Sequence, residues 1–373
     1  MTPVGTIERE NVTPVRHPGP GTGRLSVTAL VPAHNEEEAI GDTLRSLLDQ
    51  TDPFDEIIVV DDCSTDRTGD IARSYGVTVV RPERNRGSKA KAQNYGLPAV
   101  RTDLVLPVDA DTLLAPDYVE LIEAAFHDDR VAIAAGCVQT RFDDRATERG
   151  RCIEYLFGFH FQRPIQNAAN SPVVCSGCCS AFRTDELRSF GGFPERTIVE
   201  DMDYTWSKQI EGRRAVYVGD AVAWAADPSD LTYLRKQVWR WMAGFFQNVR
   251  IHSKGMICHK PMLFLWILIA CWDIVTAPLW YVMPFFLIFV LHQDVGTTLM
   301  WWLGFEMVLM WLPLIYAIRR RHLSWLRILR NFPFVYMNKM VNIVYAWKAL
   351  LVELIGVPLK LTHGLVTYEK GRA

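Results

Sequence analysis

Two pairs of carboxylates stand where they could do chemistry. Asp61 and Asp62 follow the apolar run E-I-I-V-V at 56–60, and Asp109 and Asp111 follow L-V-L-P-V at 104–108. An acid after a strand is often only a turn former or a helix cap. Two such clusters at strand ends of one sheet converge on one crevice. Carboxylates that converge without basic partners repel each other, so the arrangement calls for a cation or a polar ligand between them. Donor sets made only of oxygen suit Mg²⁺ or Mn²⁺, and such ions usually bridge to phosphates.

The elements that must position these groups alternate in type. Leu25–Val31 reads as a short strand stopped by Pro32. Glu36–Leu48 places Ile40, Leu44, Leu47 and Leu48 on one helical face, with Glu36, Glu37 and Glu38 in its first turn. A strand at 56–62, a helix at 66–74, a strand at 77–80, a helix at 89–100 and the strand ending in V-D-A-D follow. Apolar strands alternating with helices predict an α/β fold, a mostly parallel sheet with helices on both faces. Ligands of such sheets bind beyond the carboxyl ends of the strands, where both acidic pairs lie.

Six segments in order resemble the motifs of the family 2 glycosyltransferases. They are V-P-A-H-N-E-E at 31–37, V-V-D-D-C-S-T-D at 59–66, N-R-G-S-K-A-K-A-Q-N at 85–94, V-D-A-D at 108–111, V-E-D-M-D at 199–203 and Q-V-W-R-W at 237–241. Cys63 stands where the family usually has Gly, and Ser88 separates the Gly from the Lys of the third segment. The last segment matches Q-x-x-R-W, typical of the membrane-bound, often processive branch: hyaluronan, chitin and cellulose synthases and the nodulation chitooligosaccharide synthases. The resemblance covers roughly residues 25–250. It implies a glycosyltransferase fold of type A and transfer of a sugar from a nucleoside diphosphate, most often uridine diphosphate, to an acceptor hydroxyl with inversion. A single displacement of this kind needs a cation for the departing diphosphate and a carboxylate for the acceptor's proton. On this resemblance Asp111 is a metal ligand, with Asp109 beside it on the metal, the nucleotide or the donor sugar. Pro32, Ala33, Asn35, Glu36, Asp61 and Asp62 hold the base and ribose. Lys89 meets the diphosphate as a point charge, with Lys91 as its rival because Ser88 blurs the register. Asp201 is the general base and Glu200 its neighbour; by residue type alone, Glu200, Asp201 and Asp203 are an acid cluster at a helix N-terminus.

Gln237 and Trp241 lie four residues apart and share a helical face, with Arg240 beside them. An arginine there can pair with a diphosphate, and an indole can stack on an acceptor sugar; an interfacial helix rich in Trp and Arg has the same composition. Ser176, Gly177 and Cys178 open S-G-C-C-S-A-F-R, which looks like the family's small-residue acceptor wall. Cys175, Cys178 and Cys179 lack the second ligand pair of a zinc site, so Cys178 and Cys179 are expected to be small apolar wall residues.

The second half has a different character. Of the 12 Trp in the 373-residue chain, 8 follow position 260. Residues 261–291 hold one charge, Asp273, and 295–318 hold one, Glu306. Each exceeds the ~20 apolar residues that a span needs. Arg319, Arg320 and Arg321 follow the second run, which by the positive-inside rule predicts a hairpin (spans about 262–291 and 295–318) with a cytoplasmic catalytic domain in a multi-pass cell-membrane protein. Residues 325–360 are apolar but interrupted by charge, and predict interfacial helices, with a third span as the alternative. The expected organisation is a flexible lead over 1–23, a catalytic domain over 24–250 and a membrane domain over 251–373. The 8 cysteines form no dense framework, as expected of reduced thiols facing the cytosol. Lys and Arg number 40 against 42 acids, which argues against a nucleic-acid partner. The expected partners are a nucleoside diphosphate sugar, a saccharide or glycolipid acceptor and membrane lipid. The alternatives are single-sugar transfer to a lipid or protein, and a non-catalytic membrane protein whose sugar-nucleotide fold only binds.

Overall fold

The computed structural model describes residues 23–359. The expected lead lies outside the described residues apart from Gly23, as does the tail from 360 onward. The chain divides into two compact units. The first runs to Gln139 and resumes over Asn170–Ala226; the second comprises Thr140–Ala169 and the segment from Asp227 onward.

The first unit is built on eight strands: β1 (Val27–Ala33), β2 (Glu56–Asp61), β3 (Thr78–Val80), β4 (Leu104–Pro107), β5 (Leu113–Leu114), β6 (Val131–Thr140), β7 (Ser180–Arg183) and β8 (Arg214–Ala225). Its helices are α1 (Ile40–Leu48), α2 (Thr68–Ser74), α3 (Lys89–Gly96), α4 (Tyr118–Ala124), α7 (Thr184–Phe190) and α8 (Glu200–Ile210); α5 and α6 belong to the second unit. The sheet order is β3-β2-β1-β4-β7-β6-β8-β5. The β3-β2-β1-β4 half is parallel as expected, whereas β7 runs antiparallel to β4 and β6 antiparallel to β7, so the sheet is mixed. Register aligns the carboxyl ends, with Ala33 opposite Asp61 and Leu30 opposite Pro107. Because β7 is antiparallel to β4, the residues that precede β7, 176–179, lie at that same edge. Leu30, Ile58, Val60, Val105, Ile133, Phe182 and Tyr204 form the core around these strands. Gly96 lets α3 lie close on the sheet: a Cβ there would fall 2.5 Å from Val60 and 2.8 Å from Leu30.

Two helices are each four residues shorter than their periodicity predicts. Pro98 ends α3 at Gly96, leaving a tight turn over Leu97–Ala99 in place of the helix expected to 100. Helix α1 starts at Ile40, because the N–H groups of Glu36 and Glu37 are bound by Thr68 Oγ1 (2.7 Å) and Asp66 Oδ2 (3.1 Å). Glu36–Glu38 thus belong to the loop before α1.

The second unit holds α5 (Ala146–Phe157), α6 (Arg163–Ala168), α9 (Leu231–His259), α10 (Pro261–Phe289), α11 (Val295–Arg321), α12 (Trp325–Asn331) and α13 (Phe334–Leu350). Helix α9 runs unbroken through position 250, so the expected boundary falls inside it, and the whole helix groups with the C-terminal elements. Cys152, Ile153 and Leu156 of α5 pack with Leu314, Ile318, Ile328 and Val335. Partly buried polar ties reinforce this packing. Asp143 accepts from Arg327 Nε (2.6 Å) and Asn331 Nδ2 (2.7 Å), and Glu306 pairs with Lys339 at 2.7 Å. Among the described residues, α10 and α11 are the two helices long and apolar enough to cross a membrane. Only 11% and 28% of their most apolar stretches are buried, unlike the core helix of a water-soluble domain. Helix α13 has 17 residues and continues directly into a π-helical segment over Leu351–Gly356.

Candidate active site

The crevice at the carboxyl edge of the sheet has two sides, one formed by the loops after β1 and β2 and one by the D-x-D turn after β4. On the first, the loop after β1 is laced to the loop after β2. Asn35 N–H donates to Ser64 Oγ (3.1 Å), Thr65 N–H donates to Asn35 Oδ1 (2.8 Å), and Asp62 N–H donates to Ala33 O (2.8 Å). Asn35 and Cys63 both have left-handed backbones, with φ of 54° and 59°. Glycine is the residue that adopts this conformation without strain, which explains why Gly is usual in the motif where Cys63 stands.

The two acids of this side differ in environment. Asp61 is fully buried, paired with Arg81, and accepts from Ser64 N–H at 2.9 Å. Asp62 accepts from Arg86 N–H at 2.7 Å, while its own carbonyl accepts from Asn85 Nδ2 at 3.0 Å. Burial lifts the Asp62 carboxyl above the usual aspartate range, against the opposing pull of the Arg86 N–H. Pro32 and Ala33 end β1 beside these groups.

On the other side, Lys89 at the start of α3 connects three of the expected segments. Its ammonium lies 2.5 Å from Asp109 Oδ1 and 4.0 Å from Glu200 Oε1, and donates to Gly177 O at 3.0 Å. Burial disfavours the charge, but Asp109 and Glu200 outweigh it and hold the ammonium above the ordinary lysine value. Glu200 is buried, and its carboxyl is pushed up to about 7 by burial first, against the pull of Lys89, with Asp201 adding to the rise. The D-x-D turn is fixed through its backbone: Thr43 Oγ1 donates to Ala110 O (2.8 Å) and Thr112 N–H donates to Asp109 O (3.0 Å). Asp111 is half-buried in the same turn.

Asp201 is oriented by two backbone N–H groups. Gly177 N–H donates to Oδ2 at 2.7 Å, and Met202 N–H donates to Oδ1 at 2.8 Å. The Gly177 peptide therefore joins Lys89, on its carbonyl, to Asp201, on its N–H. A Cβ at Gly177 would lie 3.2 Å from both Cβ and Oδ2 of Asp201, which is tight and explains a glycine here. Ser176 O accepts from Cys179 N–H (3.2 Å) and Ser180 Oγ (2.7 Å), closing a turn that leads into β7. Its neighbour Cys179 and its own burial raise the Cys178 thiol well above its ordinary value, so Cys178 is held as a neutral thiol. Asp203 is taken by a two-pronged contact from Arg196, at 2.8 and 2.7 Å.

The structure thus brings together Asp109, Lys89, Gly177, Glu200 and Asp201 in one connected network. Gln237, Arg240 and Trp241 lie on α9 of the second unit, where Gln237 Oε1 accepts from Arg151 Nη2 at 2.8 Å and the Trp241 ring lies 4.8 Å from the Arg151 guanidinium carbon. Trp239 points elsewhere, against Tyr345 and Lys348 of α13. Arg81, Arg151 and Arg196 went unnoticed in the sequence. Only a basic residue soon after β3, in R-P-E-R, could have flagged Arg81 as a partner for a strand-end acid.

Comparison with known proteins accords with this geometry. Residues 28–190 match the model of glycosyl transferase family 2. A hyaluronan synthase of Streptococcus pyogenes is 31% identical over 267 residues, covering 64% of this chain and 61% of that protein. A poly-β-1,6-N-acetyl-D-glucosamine synthase of Staphylococcus aureus is 30% identical over 225 residues, covering 58% and 54%. An uncharacterised glycosyltransferase of Escherichia coli is 28% identical over 257 residues, covering 65% and 64%. The chain thus spans between about half and two thirds of the length of these relatives. A mannosyltransferase from Pyrobaculum calidifontis, solved with GDP-mannose and Mn²⁺, shares the fold with a TM-score of 0.59 at 21% identity, over 90% of this chain and 88% of that one. Residues 28–190 thus resemble a glycosyl transferase family 2 domain.

Proposed function

We propose that this protein is a membrane-bound inverting glycosyltransferase that moves a sugar from a nucleoside diphosphate, uridine diphosphate by preference, to a saccharide acceptor. The observation that carries this reading is the Asp201 carboxylate, aimed by the Gly177 and Met202 N–H groups and tied through Gly177 and Lys89 to Asp109. Asp201 accepts the proton of the acceptor hydroxyl as its oxygen bonds to the anomeric carbon and the bond to the diphosphate breaks. Asp62, Asp61 and the 32–36 loop hold the base and ribose. Lys89 fixes the D-x-D turn against the base and contributes its positive charge beside the departing diphosphate.

Asp109 and Asp111 offer carboxylate oxygens only, the donor chemistry of a hard divalent cation. No group of three or more His, Cys, Asp or Glu among the described residues could hold a metal without help, so phosphate oxygens and water would complete the shell. When bound, Mg²⁺ or Mn²⁺ neutralises charge on the leaving diphosphate. Helices α10 and α11 cross the membrane as a hairpin whose Arg319–Arg321 end is cytoplasmic, α12 and α13 lie at the interface, and Gln237, Arg240 and Trp241 serve the acceptor end of the reaction.

The test is to incubate the membrane-extracted protein with a panel of nucleotide sugars and Mg²⁺ or Mn²⁺, measuring released nucleoside diphosphate and product mass. A growing ladder of saccharides means polymerisation. A single added sugar on lipid or protein means the non-processive alternative. Binding without release from any donor would overturn catalysis.

A further inference from the structure

We propose that Arg151 of α5 is a positioning residue for the acceptor step, holding Gln237 and Trp241 of the Q-x-x-R-W segment in a single arrangement. This rests on the reading above that those residues serve the acceptor. Arg151 is 4% exposed. A buried guanidinium is strongly unfavourable unless its partners are in place, so its surroundings are constrained by it as much as it is by them. Nη1 donates to Glu154 Oε2 at 2.8 Å, one turn along the same helix. Nη2 donates to Gln237 Oε1 at 2.8 Å, across 86 residues of sequence. The guanidinium carbon lies over the Trp241 ring at 4.8 Å and over the Tyr155 ring at 5.7 Å, while Nε stands 3.8 Å from Asp227 Oδ1. Glu154 is in turn held by Asn342 Nδ2 of α13 at 2.7 Å. The line Asn342, Glu154, Arg151 therefore ends on two of the residues expected to meet the acceptor.

This arrangement has two consequences. Gln237 presents its oxygen to Arg151, which leaves its amide NH₂ as the group available to a ligand. One face of the Trp241 indole is covered by the guanidinium, so a sugar ring can stack only on the opposite face. Lysine could keep the charge over the ring but lacks the planar fork that also reaches Gln237 and Glu154.

The full chain, membrane-extracted, is compared with Arg151→Met, Arg151→Lys, Trp241→Ala and Arg151→Met/Trp241→Ala. Transfer to a saccharide acceptor, acceptor KM and donor hydrolysis by water are measured on each. Losing the alignment lowers transfer by about 10²-fold in Arg151→Met. Donor hydrolysis stays near wild type, and Arg151→Lys falls between. In the Trp241→Ala background, Arg151→Met adds much less loss than it causes alone, because the two act as a unit. Equal losses of transfer and hydrolysis, or full multiplication of the two losses, would reduce Arg151 to packing and overturn the proposal. If Arg151→Met does not fold, Arg151→Lys decides: a lowered transfer-to-hydrolysis ratio supports the role, and an unchanged ratio overturns it. A wild-type protein that releases no nucleoside diphosphate sinks the functional reading instead, which is a different result.

Discussion

Replacing Asp201 with asparagine keeps the side-chain shape and removes the charge. Both carboxylate oxygens accept backbone N–H groups, from Gly177 at 2.7 Å and Met202 at 2.8 Å. Asparagine offers one acceptor oxygen and one NH₂ donor, so one of the two N–H groups must then face a donor. A hydrogen bond to a charged group contributes about 1.5–3 kcal/mol, and this site is half-buried, so the cost is placed near the lower end, about 1–2 kcal/mol. In a domain of this size each kcal/mol moves Tm by about 2–4 °C. The chemical cost is larger: a lost general base lowers transfer by about 10²–10⁴-fold. Donor affinity uses the Asp62 and Asp109 sides of the crevice and should be nearly intact. Thermal unfolding, calorimetric titration of the nucleotide sugar and nucleoside diphosphate release with acceptor present separate these effects. Transfer at the wild-type rate would refute the base, an unchanged Tm would refute the two-acceptor geometry, and loss of donor affinity would move Asp201 to the donor side.

Substitutions at three further positions probe the rest of the crevice. Asp111→Ala should abolish the metal dependence of donor binding, checked by titrating donor with and without Mn²⁺; an unchanged dependence places the ligand elsewhere. Glu200→Gln tests the buried carboxyl. Its folded pKa, about 7, lies above the unfolded value of about 4.5, so the folded state binds the extra proton between those limits and loses stability as pH rises from about 4.5 to 7. Tm measured in chelator from pH 5 to 8 should fall more in wild type than in Glu200→Gln, and parallel curves would sink the assignment. Cys63→Gly relieves a left-handed backbone at φ 59°. The strain released, about 1–2 kcal/mol, exceeds the added chain entropy of about 0.4–1 kcal/mol. A small rise in Tm is expected, while Cys63→Val, β-branched at the same φ, should lower it.

Much of the donor crevice was legible in the sequence because its determinants are local. The carboxyl edge of a parallel sheet follows from apolar strands alternating with helices, and β1 to β4 form that sheet with Asp61–Asp62 and Asp109 at the expected edge. The antiparallel half was not legible, because helices also separate β6, β7 and β8, so the alternation alone predicts parallel strands there too, while the strands pair antiparallel across long separations. The helix ends that moved did so for side-chain reasons: Pro98 stops α3, and Thr68 and Asp66 capture the backbone that would have begun α1. The arginines that hold Asp61, Asp203 and Gln237 were invisible for a related reason. Nothing in a spacing distinguishes a buried, forked arginine from a solvated one until the partner element is in place. Helix α9 shows the same limit at the scale of domains, since it begins well before the apolar runs and yet groups with them.

Converging carboxylates without a basic partner call for a cation. The structure supplies one from within the chain: the Lys89 ammonium stands between Asp109 and Glu200 and anchors on the Gly177 carbonyl. Burial is the first cause of the raised Glu200 carboxyl, with Asp201 and Asp109 adding to the rise against the pull of Lys89. On the acceptor side Lys89 already sets the spacing, because the peptide that receives its hydrogen bond is the one that orients Asp201. The lysine thus links the two halves of the proposed reaction mechanically. Shortening it should disturb the base as well as the donor, a behaviour that a simple diphosphate contact would not produce.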